Sequence, residues 1–149
     1  MLPKYHIIIG FISSLIIYLI FSITILQAVI IFFSSFLIDF DHYLLYIYKK
    51  KDFSLKKAVN YFKEKRRKGI ARNLDERKKY KKAIFIFHGI EFWLLLIILS
   101  FYINLIWFVL LGIAIHIFLD YIDLINNKDS LYSKFSQFYF YYSNKKKGK

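Results

Sequence analysis

Residues 7–38 read IIIGFISSLIIYLIFSITILQAVIIFFSSFLI, a run without one charged side chain, and Asp39-Phe40-Asp41-His42 follows at once. A helix that crosses lipid needs about 20 apolar residues and no fewer than about 17. The run is long for one crossing and only just long enough for two. Its polarity peaks at Ser22-Ile23-Thr24 and again at Gln27. We therefore read a hairpin of two short helices, residues 7–22 and 25–42, although neither Gly nor Pro marks the turn. The alternative is a single tilted helix, which would set His6 and Asp39 about 50 Å apart on opposite membrane faces.

Working outward, the same character returns at residues 83–119, and the mean hydropathy of the whole chain is +0.41. Residues 83–101 and 105–125 read as a second pair of spans joined by the turn Tyr102-Ile103-Asn104. The expected fold is all-α: one integral membrane domain over residues 1–149, a four-helix bundle made of two helical hairpins. Tyr43, Tyr46 and Tyr48 suit the headgroup level, so the second helix is free to continue past Asp41 towards Lys49-Lys50-Lys51.

The formal charge is +13, and its placement matters more than its size. Of 23 Lys and Arg residues, 16 fall in residues 49–82 and four in the last five positions. Lys and Arg mark the cytoplasmic loops of membrane proteins and attract anionic lipid headgroups. We expect a protein of the inner cell membrane with both termini in the cytoplasm, membrane lipids as partners, and no nucleic acid. A nucleic-acid tether is the weaker reading of the same charge. Lys4 precedes the first apolar run, but no small-residue cleavage site follows it, so that run reads as a retained helix.

Within the basic loop, Ser54 is a helix cap. Leu55, Ala58, Val59 and Phe62 then recur at helical spacing opposite Lys56, Lys57, Lys63 and Arg66. This is a basic amphipathic cytoplasmic helix suited to a membrane surface, or else a solvated helix without a partner; Gly69 and Asn73 should end it. In the tail, residues 127–149, the aromatic stretch 132–142 reads as an interfacial helix and the final lysines as a disordered end.

The four histidines are His6, His42, His88 and His116. With four spans, each falls near the same end of a different helix. His6 opens the first, Asp39, Asp41 and His42 end the second, His88 and Glu91 lie early in the third, and His116, Asp120 and Asp123 lie late in the fourth. An ionisable group in the bilayer core costs at least about 2.5–3.5 kcal/mol, so such residues are few and usually functional. His88 and Glu91 (i, i+3) and His116 and Asp120 (i, i+4) share helix faces, as do Asp39 and His42, whereas Asp41 points elsewhere unless the helix unwinds. Cysteine is absent, which removes disulfides, thiolate sites and thiol nucleophiles. Imidazole with carboxylate suits Zn, Mn or Fe, and a carboxylate-rich site admits Mg. Each residue also has a plain alternative: an interfacial His6, a solvated Asp39–His42 end, a structural His116–Asp120 pair.

At these residues the chain resembles the YdjM-like family of LexA-regulated, membrane-bound predicted metal-dependent hydrolases. That family reads as an early His, then Leu-Pro-Asp-x-Asp-His, then a His-containing third motif, then Gly-x-x-x-His-x-x-x-Asp. Leu37-Ile38-Asp39-Phe40-Asp41-His42 matches the second motif with Ile38 for proline, and Gly112 to Asp120 matches the last. His6 stands at the early position. In place of the family's His-Arg-Gly-x-Thr-His, this chain has His88-Gly89-Ile90-Glu91-Phe92. The resemblance implies a hydrolase and supplies no substrate.

The residues and the resemblance together lead us to expect a metal-dependent hydrolase at the cytoplasmic face, acting on a lipid-linked phosphoester. One or two divalent ions (Zn, Mn or Mg) would be held by His6, Asp39, Asp41, His42, His88, His116 and Asp120. Glu91 is the candidate general base, and His42 a ligand or acid. The alternative is a non-enzymatic membrane protein, either a metal carrier or an anionic-lipid-binding scaffold.

Overall fold

A computed structural model describes residues 3–71, 85–128, 136, 138, 141 and 142. The helices are α1 (Pro3–Phe21), α2 (Ile25–Leu37), α3 (Phe40–Lys50), α4 (Leu55–Ala71), α5 (Ile90–Ser100) and α6 (Leu105–Asn126), with a 3-10 turn at Ile86–His88. No strand occurs among the described residues.

The break between α1 and α2 falls at residues 22–24. Ser22 takes a left-handed conformation with φ 49°, and Thr24 caps α2. The Thr24 hydroxyl accepts from the Gln27 amide at 3.3 Å, and the Gln27 side chain accepts from the Thr24 amide at 2.8 Å. This reciprocal box satisfies two helix-end donors and does the work that Gly or Pro does in other turns. A second break, two residues of turn at Ile38 and Asp39, separates α2 from α3.

α2 is the central element, packed on α6 along one side and α1 along another; α5 packs on α6. Small residues allow the approach. A Cβ at Gly112 would run into the Ile31 carbonyl oxygen and the Ser34 hydroxyl, and one at Gly10 would run into the Ser35 hydroxyl. The serines spend their hydroxyls on their own helices, Ser14 on the Phe11 carbonyl and Ser35 on the Phe32 carbonyl. Such bonds are how polar groups are satisfied where water is absent.

The burial pattern is inverted relative to a water-soluble bundle. His6, Ser35, His88, His116 and Asp120 are buried, while Ile8, Phe11, Leu15, Leu19, Leu26, Leu94, Ile98 and Phe118 are exposed. Pro3–Phe21, Ile25–Lys50 (α2 and α3 together) and Leu105–Asn126 are long and apolar enough to cross a membrane. α5 is not: the expected span at 83–101 holds a helix of only 11 residues. Gly89, extended at φ −86° and ψ 151°, interrupts it.

α4 is the basic helix foreseen from residue 55. The Ser54 hydroxyl caps it by accepting from the Lys57 amide at 3.4 Å. Gly69 does not end it, since the helix runs through Gly69 to Ala71; a Cβ there would meet none of the described residues within 4 Å, so the glycine costs helix propensity alone. Asn73 and most of the stretch 132–142 lie outside the described residues.

Candidate metal centre

Residues from five places in the chain converge on one site. His6 comes from the first turns of α1, Asp39 from the α2–α3 junction, Asp41 and His42 from the start of α3, His88 from the 3-10 turn, and His116 and Asp120 from the second half of α6. The described residues at this site include all four histidines of the chain.

His116 fixes the chemistry of the cluster. Its Nδ1–H donates to the Ser35 carbonyl oxygen at 2.9 Å. A carbonyl only accepts, so Nδ1 carries a proton, and in its neutral form the ring turns a lone pair at Nε2 inward. His88 is held the same way: its Nδ1–H donates to the Asp41 carboxylate at 3.1 Å. The two Nε2 atoms then face each other at 3.2 Å. Asp120 Oδ2 lies 3.3 Å from His116 Nε2, and Asp39 Oδ1 lies 3.6 Å from the Nε2 of both rings. Two imidazole lone pairs and two carboxylate oxygens so arranged repel unless something positive sits among them.

His6 points the same way. It is fully buried, and neither ring nitrogen has a hydrogen-bond partner. Its ring stacks on His116 with centroids 4.0 Å apart, and its Nε2 lies 3.5 Å from Asp120 Oδ1. An imidazole orphaned among carboxylates fits a cation ligand better than a structural histidine. Three groups of donors have atoms within 4.8 Å of one another and could hold a metal ion: His6, Asp39 and His116; Asp39, His42 and His88; and His88, His116 and Asp120.

Asp41 enters none of these groups. It points inward because the turn at Ile38–Asp39 resets the helix phase. One oxygen accepts from His42 Nδ1 at 2.8 Å, and the other accepts from His88 Nδ1 and, at 3.4 Å, from the Phe87 amide. A carboxylate in that position sets the tautomer and orientation of two histidines. His42 is stacked on Phe85, with centroids 3.8 Å apart, and its Nδ1 is committed to Asp41 and Asp39.

Glu91 also enters none of the groups. Because the helix starts at Ile90, His88 precedes it and the expected i, i+3 face with Glu91 does not exist. Glu91 lies in the first turn of α5, where a negative charge suits the helix dipole. It accepts from the Ser136 hydroxyl at 2.6 Å and from the Phe138 amide at 3.3 Å. The Ser35 carbonyl and Phe85 were missed at the sequence level; a backbone acceptor and one more Phe among 17 leave no signal there. The donor set, nitrogen and oxygen without sulfur, fits a borderline or hard divalent ion.

No protein-family model, curated protein or solved structure matches the chain.

Proposed function

We propose that this chain is a membrane-embedded, metal-dependent hydrolase working at the cytoplasmic face of the inner membrane on a lipid-linked phosphoester. The observation that carries the proposal is the convergence of two inward Nε2 lone pairs, an orphaned His6 and two carboxylates at one end of the apolar helices. The resemblance of Leu37 to His42 and of Gly112 to Asp120 to predicted hydrolase motifs points the same way.

The two Asp120 oxygens face different histidines, Oδ1 towards His6 and Oδ2 towards His88 and His116. One or two divalent cations would be held by these residues, His88, His116 and Asp120 forming one donor group and His6, Asp39 and His116 another. A divalent ion bound there supplies Lewis-acid chemistry to the ester oxygen and to a water. The protein's own groups do the rest. Asp41 holds the Nδ1 proton of His42, which leaves His42 Nε2 as the proton acceptor or donor for attacking water and leaving group. Phe85 and Phe62 pack on the His42 ring and keep it in place. Glu91 has no part in this scheme.

A carrier would need polar side chains continuing to the far face, and the buried serines Ser14 and Ser100 are bonded to their own helix backbones, which favours a one-sided site. The purified full chain should contain one or two equivalents of Zn, Mn or Mg by elemental analysis, removable by chelator. His116→Ala and Asp39→Ala should each abolish bound metal; full retention in either would remove the proposal. Phosphoester hydrolysis restored by metal and absent in both variants is the matching activity test.

A further inference from the structure

Among the described residues of the site, the exposed edge is formed by two side chains. Asp39 and His42 are 17% and 24% exposed, whereas His6, His88, His116 and Asp120 are buried. α4 lies along that opening. Phe62 sets its edge against the His42 ring, with centroids 5.3 Å apart. Four residues further on, the Arg66 guanidinium binds the Asp123 carboxylate. Phe62 and Arg66 share a helix face, as do Asp120 and Asp123, whose Cβ atoms at i, i+3 stand about 5–6 Å apart. The guanidinium is therefore held beside the opening, about one helical turn from Asp120.

We infer that Arg66 recognises the phosphate of the substrate, an inference that rests on the metal-hydrolase reading above and names the group that reading leaves unassigned. Three carboxylates surround the site, and a phosphate approaching it needs a fixed positive charge at the entrance. Arginine provides one in planar form, with five N–H donors matched to phosphate oxygens. Asp123 engages Nη2 only, which leaves three N–H groups on Nη1 and Nε. Asp123 is itself held, its Oδ1 accepting from the Asn127 side chain at 3.3 Å, so the fork is aimed before the ligand arrives. Of the lysines on the same helix, Lys57 and Lys68 pair with Asp52 and Glu64, away from the site, and Lys63 is exposed and bound to no described carboxylate.

The rival role is a tether, with Arg66 merely pinning α4 to α6. Arg66→Lys separates the two, because lysine keeps the ion pair with Asp123 and loses the fork. Zinc-loaded full chain in detergent, as wild type, Arg66→Lys, Arg66→Met and Lys63→Met, is titrated with inorganic phosphate by calorimetry, and bound zinc is measured in each sample. The expected result is about tenfold or greater loss of phosphate affinity in both Arg66 variants, unchanged zinc content, and wild-type affinity in Lys63→Met. Phosphate affinity within about twofold of wild type in Arg66→Lys, equal loss in Lys63→Met, or no phosphate binding by zinc-bearing wild type each overturns the inference. Absence of zinc from the wild type would instead overturn the metal reading, and the role of Arg66 with it. Repeating the titration in nanodiscs identifies the source of the phosphate. Competition by phosphatidic acid and not phosphatidylcholine assigns it to a lipid headgroup, and competition by neither assigns it to a water-soluble ester.

Discussion

Both nitrogens of His6 are buried and make no hydrogen bond among the described residues, and each such group costs about 1–3 kcal/mol. A bound cation would repay that cost, and its removal would expose it. His6→Phe, which keeps a ring against His116, should therefore melt no lower than wild type in chelator and should lose most of the stabilisation that added metal gives the wild type. A second test concerns Asp41. As an orienting carboxylate its loss should weaken the site without destroying it, so Asp41→Asn should lower metal affinity about 10–100-fold, read by competition with a chelating dye, whereas His116→Ala should leave none. The ligand-type residues were visible in the sequence because an uncharged run makes any ionisable group conspicuous. Their roles were not. Asp41 and Asp39 look alike in the chain, and only the fold shows that Asp41 meets the Nδ1 of His42 and His88 while Asp39 also faces the Nε2 of His88 and His116.

At the scale of elements, the two tight glycine contacts differ in kind. The obstacle at Gly10 is the Ser35 side chain, whose hydroxyl can rotate although its Cβ stays 2.9 Å away; at Gly112 it includes the Ile31 carbonyl oxygen, fixed in α2. Gly112→Ala should cost on the order of 1–3 kcal/mol and Gly10→Ala distinctly less, measured as thermal midpoints in one detergent. The start of α4 is sensitive to acid. The Lys57 ammonium, then the Ser54 amide, hold the Asp52 carboxyl below the usual carboxylate range. A depressed folded-state pKa gives a contribution that is complete at neutral pH and is lost as pH falls below the ordinary Asp range; the protection factor of the Ser54 amide against hydrogen exchange, corrected for the intrinsic rate, should fall there and not near pH 7. The turn at residues 22–24 was legible from its polarity, and the Thr24–Gln27 spacing is its cause. The shortness of α5 was not legible. Residues 83–101 are uniformly apolar apart from His88, Glu91 and a few small polar positions, and periodicity does not reveal that Gly89 adopts an extended conformation. Glu91 was misplaced for the same reason, since a helix drawn through Gly89 puts His88 and Glu91 on one face.

For the molecule as a whole, the absence of cysteine makes single-cysteine labelling unambiguous. Lys51→Cys and Phe53→Cys should react from the cytoplasmic side and Tyr102→Cys, at the exposed α5–α6 turn, from the other. Reaction of positions 51 and 102 from one side would dismantle the proposed topology. The 11 residues of α5 have a further consequence. At 1.5 Å per residue they rise about 16 Å, against a hydrocarbon thickness of about 30 Å. Lipids beside α5 must shorten or tilt their chains to match it, so the leaflet dips where Gly89 and His88 begin. Such a dimple would carry headgroups down to the imidazoles instead of requiring a phosphoester to climb out of its monolayer, and bilayers of shorter acyl chains should then be the better medium for the proposed hydrolase.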